Sequence, residues 1–166
     1  MRIPNKVVAI FLSTLAGQCL ADDAVDYGYW LEPKTNVEVH LYSCPQDTAL
    51  LCGSIIGIPA NKASTDVNNP DPSLRSRTLK GLEIVQNFQP VEEKVWEGGG
   101  DYGKRPGRIY LPVNGDTLGD HKNRYRIEIQ EARVVISVAN CSLFNCLSKN
   151  EWRKIEVRKT AAETSS

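Results

Sequence analysis

The sequence predicts an all-β protein, a small antiparallel up-and-down β-barrel of about eight strands with short helical turns at most. Short apolar runs of strand length recur along the chain, and clusters of glycine, proline and asparagine separate them. No stretch of helical length keeps a 3.6-residue apolar period. A β-sandwich is the alternative, and the closed barrel is preferred because closure removes unpaired strand edges.

The N-terminal residues 1–21 have the organisation of a bacterial signal peptide. Arg2 and Lys6 form a positively charged start, and the apolar run 7–16 that follows is too short to span a bilayer. Small residues precede the bond after Ala21, which we expect to be the cleavage site. The mature protein is therefore expected in the periplasm or outside the cell.

Cys19 allows an alternative interpretation of the N-terminus, a lipoprotein acylated at that residue. The bulky, polar Gln18 before it does not suit a lipoprotein signal. We therefore favour cleavage after Ala21, which removes Cys19 and leaves four of the chain's 5 cysteines. An even number of cysteines in an exported domain is typical of disulfides.

Local pairing of the remaining cysteines predicts two disulfides, Cys44–Cys52 and Cys141–Cys146. By loop entropy, each short bridge stabilises the fold by roughly 2–3 kcal/mol. A zinc site is the alternative use of four cysteines, and it is disfavoured because the C-x-x-C pairs typical of structural zinc are missing. The sequence predicts no metal site and no cofactor.

The mature chain is predicted to form a single domain over residues 22–158, followed by a flexible polar tail at 159–166. The whole chain has 20 basic and 20 acidic residues. The signal peptide contains two of the basic residues, Arg2 and Lys6, and no acidic residue. The mature charge is therefore 18 minus 20, or −2. This balance predicts no nucleic-acid partner and no attraction to an anionic membrane surface, and no transmembrane span is predicted.

Eight segments of the domain are predicted as strands. They are 28–31, 36–43, 51–58, 82–88, 108–111, 125–129, 134–138 and 152–157. The second alternates most clearly, with Val37, Val39 and Leu41 on one face. Ahead of the fourth strand, one helical turn is expected at Pro72, with Asp71 as its cap.

The first strand contains a Gly28-x-Trp30 motif. In lipocalin-like barrels such a motif closes the barrel floor, and a basic residue from the last strand packs across the indole. Arg153 and Arg158 are the candidates here for a cation–π contact with Trp30. The simpler interpretation is that Trp30 is a core aromatic residue.

Motifs from the first strand to the last form an ordered set. They are Gly28-x-Trp30, Leu51-Cys52-Gly53, Asp66-x-x-Asn69-Pro70, Leu74-Arg75-x-Arg77, Trp96-x-Gly98, Gly107-Arg108-Ile109-Tyr110-x-Pro112 and Trp152-Arg153. The set resembles the bacterial "domain of unknown function" family numbered 2147. The resemblance implies an exported bacterial protein with a calycin-like β-barrel and no established activity. Leu111 departs from the aspartate usual in the family, so any polar or metal-binding role of that aspartate is not expected here.

The turn-rich segment 66–77 is the main candidate for binding. It contains Asp66, Asn69, Arg75 and Arg77, and a guanidinium can hold a carboxylate or phosphate through two hydrogen bonds. The structural interpretation is preferred, in which these side chains cap turns and pin the segment over one end of the barrel. Two residues of the matching motifs, Trp96 and Tyr110, complete the predicted ligand-binding set.

Two further patterns give no functional prediction. The run from Gly98 to Gly103 formally matches G-x-G-x-x-G, but Pro106 and a glycine follow it, so no helix can open there. We expect a mobile loop with a basic tip. His40 and His121 are the chain's 2 histidines, and both are expected to be solvated.

The function favoured by the sequence is a non-catalytic binding barrel that holds a small, partly apolar molecule of the cell envelope in its lumen. The alternative is an envelope protein-interaction or scaffold module that acts through the segments 66–77 and 98–107. An enzyme ranks third, because no nucleophile–base pair stands out. Catalysis would need Asp66, Arg75 or His40 to converge in a cleft.

Overall fold

The computed structural model describes residues 24–139 and 149–156. Within these residues the chain forms ten strands: β1 (Asp26–Glu32), β2 (Val37–Cys44), β3 (Asp47–Gly57), β4 (Glu83–Glu92), β5 (Val95–Gly98), β6 (Arg108–Leu111), β7 (Asp116–Leu118), β8 (Tyr125–Ile129), β9 (Arg133–Val138) and β10 (Asn150–Ile155). A 3₁₀ turn occupies Pro72–Leu74. The predicted cap of this turn is confirmed, since Asp71 Oδ1 accepts the amide proton of Ser73 at 2.9 Å.

Eight of these strands close an antiparallel barrel. Their order is β3-β2-β1-β10-β9-β8-β5-β4, and β4 pairs with β3 to complete the ring. β6 also pairs with β4, and β7 pairs with β6. The segments β5–β6 and β7–β8 therefore behave as two barrel strands, each interrupted by a loop. The predicted all-β barrel of about eight strands is confirmed.

The two strands that the sequence does not predict are β5 and β7. They have 4 and 3 residues, and glycines lie within or beside both. Segments that are both short and bounded by glycine resemble turns in a sequence, whereas β6, which is equally short, has the unbroken run Ile109-Tyr110-Leu111. The eight predicted segments all overlap observed strands, and the predicted end of the last one, Val157, lies outside the described residues.

Apolar side chains fill the barrel lumen. The core consists of Trp30, Val39, Leu41, Leu51, Ile55, Leu79, Ile84, Val85, Phe88, Trp96, Ile109, Ile127, Ile129, Val134, Ile136 and Trp152. Leu41, Leu51 and Phe88 have no exposed surface, which leaves no water-sized void beside these side chains. Within the described residues, the Nε1–H of buried Trp152 has no hydrogen-bond partner. A ligand in the lumen would therefore require packed side chains to move.

The two interrupted strands meet at a cluster of glycines. A Cβ on Gly99 would overlap the Cα of Gly119, and a Cβ on Gly98 would lie 2.7 Å from the Cα of Gly107. Only glycine allows backbones to approach this closely. Close backbone packing therefore accounts for the glycine run without a phosphate-binding loop.

The disulfide between Cys44 and Cys52 is confirmed and links β2 to β3. Cys141 and Cys146 lie outside the described residues, as do the predicted signal peptide and the tail at 159–166. In the described part of the chain, no helix has the length and apolar character needed to cross a membrane.

Trp30 is a buried core residue whose Nε1 donates to the carbonyl of Tyr27 at 3.1 Å. The register of β1 and β10 puts Lys154 opposite Trp30 and Arg153 opposite Leu31. Arg153 is exposed, and the described residues show no stacking of its guanidinium on Trp30. The register thus separates the two residues that the sequence predicts to stack. The other candidate, Arg158, lies outside the described residues.

Candidate functional site

A buried carboxylate organises the segment 66–77. Asp66 has no exposed surface, and its Oδ1 accepts a hydrogen bond from the Tyr110 hydroxyl at 2.6 Å. Its Oδ2 accepts from Asn69 Nδ2 at 2.8 Å, from Arg77 Nε at 2.9 Å and from Arg77 Nη2 at 2.8 Å. A buried carboxylate with this many donors is already compensated and acts as an internal anchor.

Backbone hydrogen bonds join the two ends of the same segment. The amide of Asp66 donates to the carbonyl of Arg77 at 3.1 Å, and Thr65 and Thr78 form an isolated antiparallel bridge. Arg75 Nε donates to the carbonyl of Asn69 at 2.8 Å. These bonds agree with the structural interpretation, in which the polar side chains pin the segment.

The protonation states of this network follow from its contacts. Burial alone would raise the pKa of the Asp66 carboxyl, but hydrogen bonds from Tyr110, Asn69 and Arg77 and the charge of Arg77 bring it below its ordinary value. Burial, then the hydrogen bond and charge of Asp66, raise the pKa of the Tyr110 hydroxyl. At neutral pH Asp66 is ionised and Tyr110 is protonated, so neither group is suited to exchange a proton with a substrate.

Strand register directs Tyr110 to the outer face of the barrel. Val85 and Ile109 are paired and almost fully buried, so both point into the lumen. Side chains alternate along a strand, and Arg108 and Tyr110 on either side of Ile109 therefore point outward. The segment that carries Asp66 accordingly lies against the outside of the barrel wall.

A cleft of about 360 Å³ opens between this segment and the outer face of β4, β6 and β7. Its lining residues are Asn69, Pro70, Arg77, Leu82, Glu83, Gln86, Arg108, Tyr110, Thr117 and Asp120. The pinned segment forms one wall, and the strands and the loop after β7 form the other. The cavity is therefore separate from the packed lumen.

Arg108 holds the strand side of the cleft in place. Its Nη1 donates to the carbonyls of Arg105 and Gly107 at 2.6 and 2.7 Å, and its Nη2 donates to the carbonyl of Gly103 at 2.8 Å. Its Nε is paired with Asp120. One guanidinium thus donates to three carbonyl groups of the loop between β5 and β6. The sequence predicts a mobile loop here and gives no sign of these hydrogen bonds.

The six predicted ligand-binding residues divide into three groups. Three line the cleft, and they are Asn69, Arg77 and Tyr110. Asp66 and Arg75 lie in the same network but do not line the cleft: Arg75 bonds to the segment itself, and Asp66 bonds to the segment and to Tyr110. Trp96 belongs to the barrel core, where its Nε1 donates to the carbonyl of Ala49 at 3.3 Å. The structure does not bring Trp96 to the cleft.

Other residues of the cleft are not among the ligand-binding residues that the sequence predicts. Glu83, Gln86, Arg108 and Thr117 lie on strands, where alternation indicates only that they face away from the core. They meet segment 66–77 because β6 pairs with β4. No local pattern encodes that long-range pairing.

A second hollow lies on the outer face of β1 and β2. It is lined by Ala24, Val25, Asp26, His40 and Tyr42. The ring of His40 stacks on Tyr29 with centroids 4.5 Å apart, and its Nε2 lies 3.0 Å from Asp26 Oδ1. His40 is therefore partly covered, in contrast to the solvated side chain that the sequence predicts. It lines this hollow and not the cleft beside Asp66.

The chemistry that the cleft offers is hydrogen bonding and charge. Arg77 and Gln86 present donors, while Glu83 and Thr117 present acceptors. Across residues 24–139 and 149–156, no group of three or more His, Cys, Asp or Glu side chains is arranged to hold a metal ion. The arrangement can hold a small molecule with both polar and apolar parts.

Comparison with known proteins identifies the family. The DUF2147 family, described as "Uncharacterized protein conserved in bacteria", matches residues 28–118. The chain belongs to this family. The matched region includes the whole 66–77 segment and every residue that lines the cleft except Asp120. No curated protein matches the chain.

The fold is also similar to that of a solved structure, protein HP1028 from Helicobacter pylori, whose description assigns it to the lipocalin family. The two chains are 16% identical, with a TM-score of 0.56, and the similarity covers 78% of this chain and 82% of the other. At this identity the likeness shows the fold alone. The expected lipocalin-like barrel is confirmed at that level.

Proposed function

We propose that this protein is a non-catalytic binding domain that holds a small, partly apolar molecule in the external cleft. The observation that supports this most directly is the double role of Asp66. It bonds to both Arg77 and Tyr110, and both of these side chains line the cleft. Polar groups already fixed by the protein bind a ligand without a further ordering cost.

In this proposal the ligand binds in the external cleft, whereas the function favoured by the sequence places it in the barrel lumen. Packed core side chains, among them the fully buried Leu41, Leu51 and Phe88, occupy the lumen, whereas the cleft is open without displacement of side chains. The lipocalin-like fold supports a binding role only by analogy, because one fold serves many functions. The site itself, with its fixed donors, is the stronger support.

Native mass spectrometry of protein purified from the periplasm tests this function. We expect the wild type to retain a bound small molecule of reproducible mass. Thr117→Phe and Gln86→Phe, placed on different strands of the cleft, should each lose it. Ser137→Phe on β9 is the matched control, because it adds the same ring outside the cleft lining.

Circular dichroism establishes which variants are folded before their bound molecules are compared. A reproducible adduct that survives both substitutions in folded protein would contradict the cleft as its site. The absence of any bound molecule in the wild type would contradict the binding function under native conditions.

A second candidate function is protein interaction in the cell envelope. Val67, Tyr102 and Val113 are strongly exposed apolar or aromatic residues on the loops around the cleft. Asn68 Nδ2 donates to the carbonyls of Pro112 and Val113 at 3.2 and 2.9 Å, which joins two of these loops into one surface. A photo-crosslinker at position 102 or 113 should capture a repeatable partner in intact cells. Its absence across growth conditions would count against this role.

Export is part of the proposal. The Cys44–Cys52 disulfide supports an oxidising compartment, the periplasm or the cell exterior. We expect the mature protein to begin at Asp22 and all four of its cysteines to resist alkylation, as the additional Cys141–Cys146 bridge requires. Intact mass and N-terminal sequencing of secreted or periplasmic protein measure both. A diacylated N-terminal Cys19 would contradict cleavage after Ala21.

A further inference from the structure

The two arginines of the cleft do not make it a site for anions. Arg77 is paired with the buried carboxylate of Asp66, and Arg108 is paired with Asp120. Arg108 also donates to carbonyl groups of the neighbouring loop. Each guanidinium is therefore compensated by the protein itself, and neither leaves a net positive charge to attract a ligand.

Glu83 is the charge in the cleft that remains uncompensated. It is the first residue of β4 and is partly buried, and no cation lies within ion-pair distance of it among the described residues. Its carboxylate accepts a long hydrogen bond from the Tyr42 hydroxyl at 3.4 Å. The nearby Gln86 amide donates to the backbone carbonyl of Glu83 at 3.4 Å and not to its carboxylate.

A ligand that enters the cleft replaces part of the water around this carboxylate. A neutral apolar ligand would leave the charge without partners, and an anionic ligand would add repulsion. A protonated amine supplies both a positive charge and several N–H donors. Leu82 and Pro70 in the same lining can contact an aliphatic portion attached to that amine.

We propose that the cleft is selective for an amine-bearing ligand, whose ammonium group pairs with Glu83 while its apolar portion lies against Leu82 and Pro70. This inference rests on the proposed binding function and adds the charge of the ligand to it. It differs from the functional alternative that the sequence offers beside the preferred structural interpretation, in which the arginines of segment 66–77 would hold a carboxylate or phosphate.

The test compares three probes with the same tail: hexylammonium, hexanol and hexanoate at pH 7. Each is titrated into ¹⁵N-labelled mature protein, and affinity is taken from shifts of the Gln86 and Thr117 amides. Hexylammonium should bind most tightly and hexanoate least. Glu83→Gln should weaken hexylammonium by about fivefold and leave hexanol unchanged. Glu128→Gln, a partly buried glutamate on β8 outside the cleft lining, should leave all three affinities unchanged.

Salt dependence gives a second measurement on the wild type alone. Raising the salt concentration should weaken hexylammonium but not hexanol, because salt screens an ion pair. Tighter binding of hexanol or hexanoate than of hexylammonium would overturn the amine selectivity and leave the cleft as a binding site. Unchanged hexylammonium affinity in folded Glu83→Gln would do the same. No cleft shifts with any probe would contradict the binding function as well.

Discussion

The Tyr110 hydroxyl donates to Asp66 Oδ1 at 2.6 Å, across a separation of 44 residues in the chain. The bond joins the outer face of β6 to the segment that precedes β4. Because Asp66 also accepts hydrogen bonds from Asn69 and Arg77, one buried carboxylate sets the position of both walls of the cleft. The stability of the segment and the shape of the site therefore depend on the same group.

Replacement of this carboxylate should destabilise the domain. We expect Asp66→Asn to lower the free energy of unfolding by about 2–3 kcal/mol, because the amide cannot accept from every present donor and the partly exposed Arg77 loses its partner. Urea unfolding measures the change. Asp71→Asn is the matched control and should change stability by less than about 0.5 kcal/mol, since asparagine caps a helical turn as well as aspartate does. Equal losses in the two variants would contradict the anchoring role of Asp66.

The Asp66 carboxyl should also make the free energy of unfolding depend on pH. The pKa of Asp66 is lower in the folded protein than its ordinary value of 3.8, so the folded state binds this proton less readily than the unfolded state. The stabilisation is complete above the unfolded pKa and disappears as the pH falls through the folded pKa. We expect the unfolding free energy of the wild type to fall below about pH 5 more steeply than that of Asp66→Asn. Parallel pH profiles for the two proteins would show that Asp66 is not the group responsible.

The disulfide of β2 and β3 should contribute to stability by closing a short loop. Its two cysteines are 8 positions apart. Replacing both Cys44 and Cys52 by alanine should lower the unfolding free energy by roughly 2–3 kcal/mol through the added freedom of the unfolded chain. Denaturant unfolding of the double variant measures this. A reducing agent should lower the wild-type stability by at least a similar amount, and a wild type insensitive to reduction would contradict the contribution.

The glycine cluster predicts a contrast between two substitutions at positive φ. Gly99 and Gly81 have φ of +72° and +85°, but a Cβ at Gly99 would overlap the backbone of Gly119, whereas a Cβ at Gly81 meets nothing within 4 Å. Gly81→Ala should cost about 1–2 kcal/mol through backbone strain alone. Gly99→Ala should cost at least about 3 kcal/mol or prevent folding, because two backbones must separate. Thermal unfolding compares them, and similar melting temperatures would contradict the close crossing.

The barrel could be predicted from the sequence because its signals are local. Asn36 to Ser43 alternates with the period of a strand, and the spacing of Cys44 and Cys52 indicates a bridge within one hairpin. Asp66 and Arg77 are candidates in the sequence because they lie in a turn-rich segment dense in charged side chains, and Tyr110 is a candidate because it lies in a motif of the family that the sequence resembles. Their arrangement does not follow from the sequence, since it depends on which strands pair.

The residues of the cleft are even harder to predict from the sequence. Glu83 begins a strand and looks in the sequence like any solvent-facing glutamate. Its place in the same cleft lining as Arg77 arises from the pairing of β4 with β6 and from the fold of the 66–77 segment. The net charge of the cleft cannot be predicted from the sequence either, because only the structure shows that Arg77 pairs with Asp66 and Arg108 with Asp120.

Mapping a bound neutral probe on ¹⁵N-labelled protein tests directly whether a ligand occupies the external cleft or the lumen. Hexanol is suitable because its position does not depend on the charge of Glu83. We predict shifts of the Arg77, Gln86 and Thr117 amides, with the indole N–H of Trp152 unchanged. That indole is a buried donor without a hydrogen-bond partner in the described residues and would report a ligand in the lumen. Shifts at Trp152, with the cleft amides unaffected, would place the ligand in the lumen and contradict the external cleft as its site.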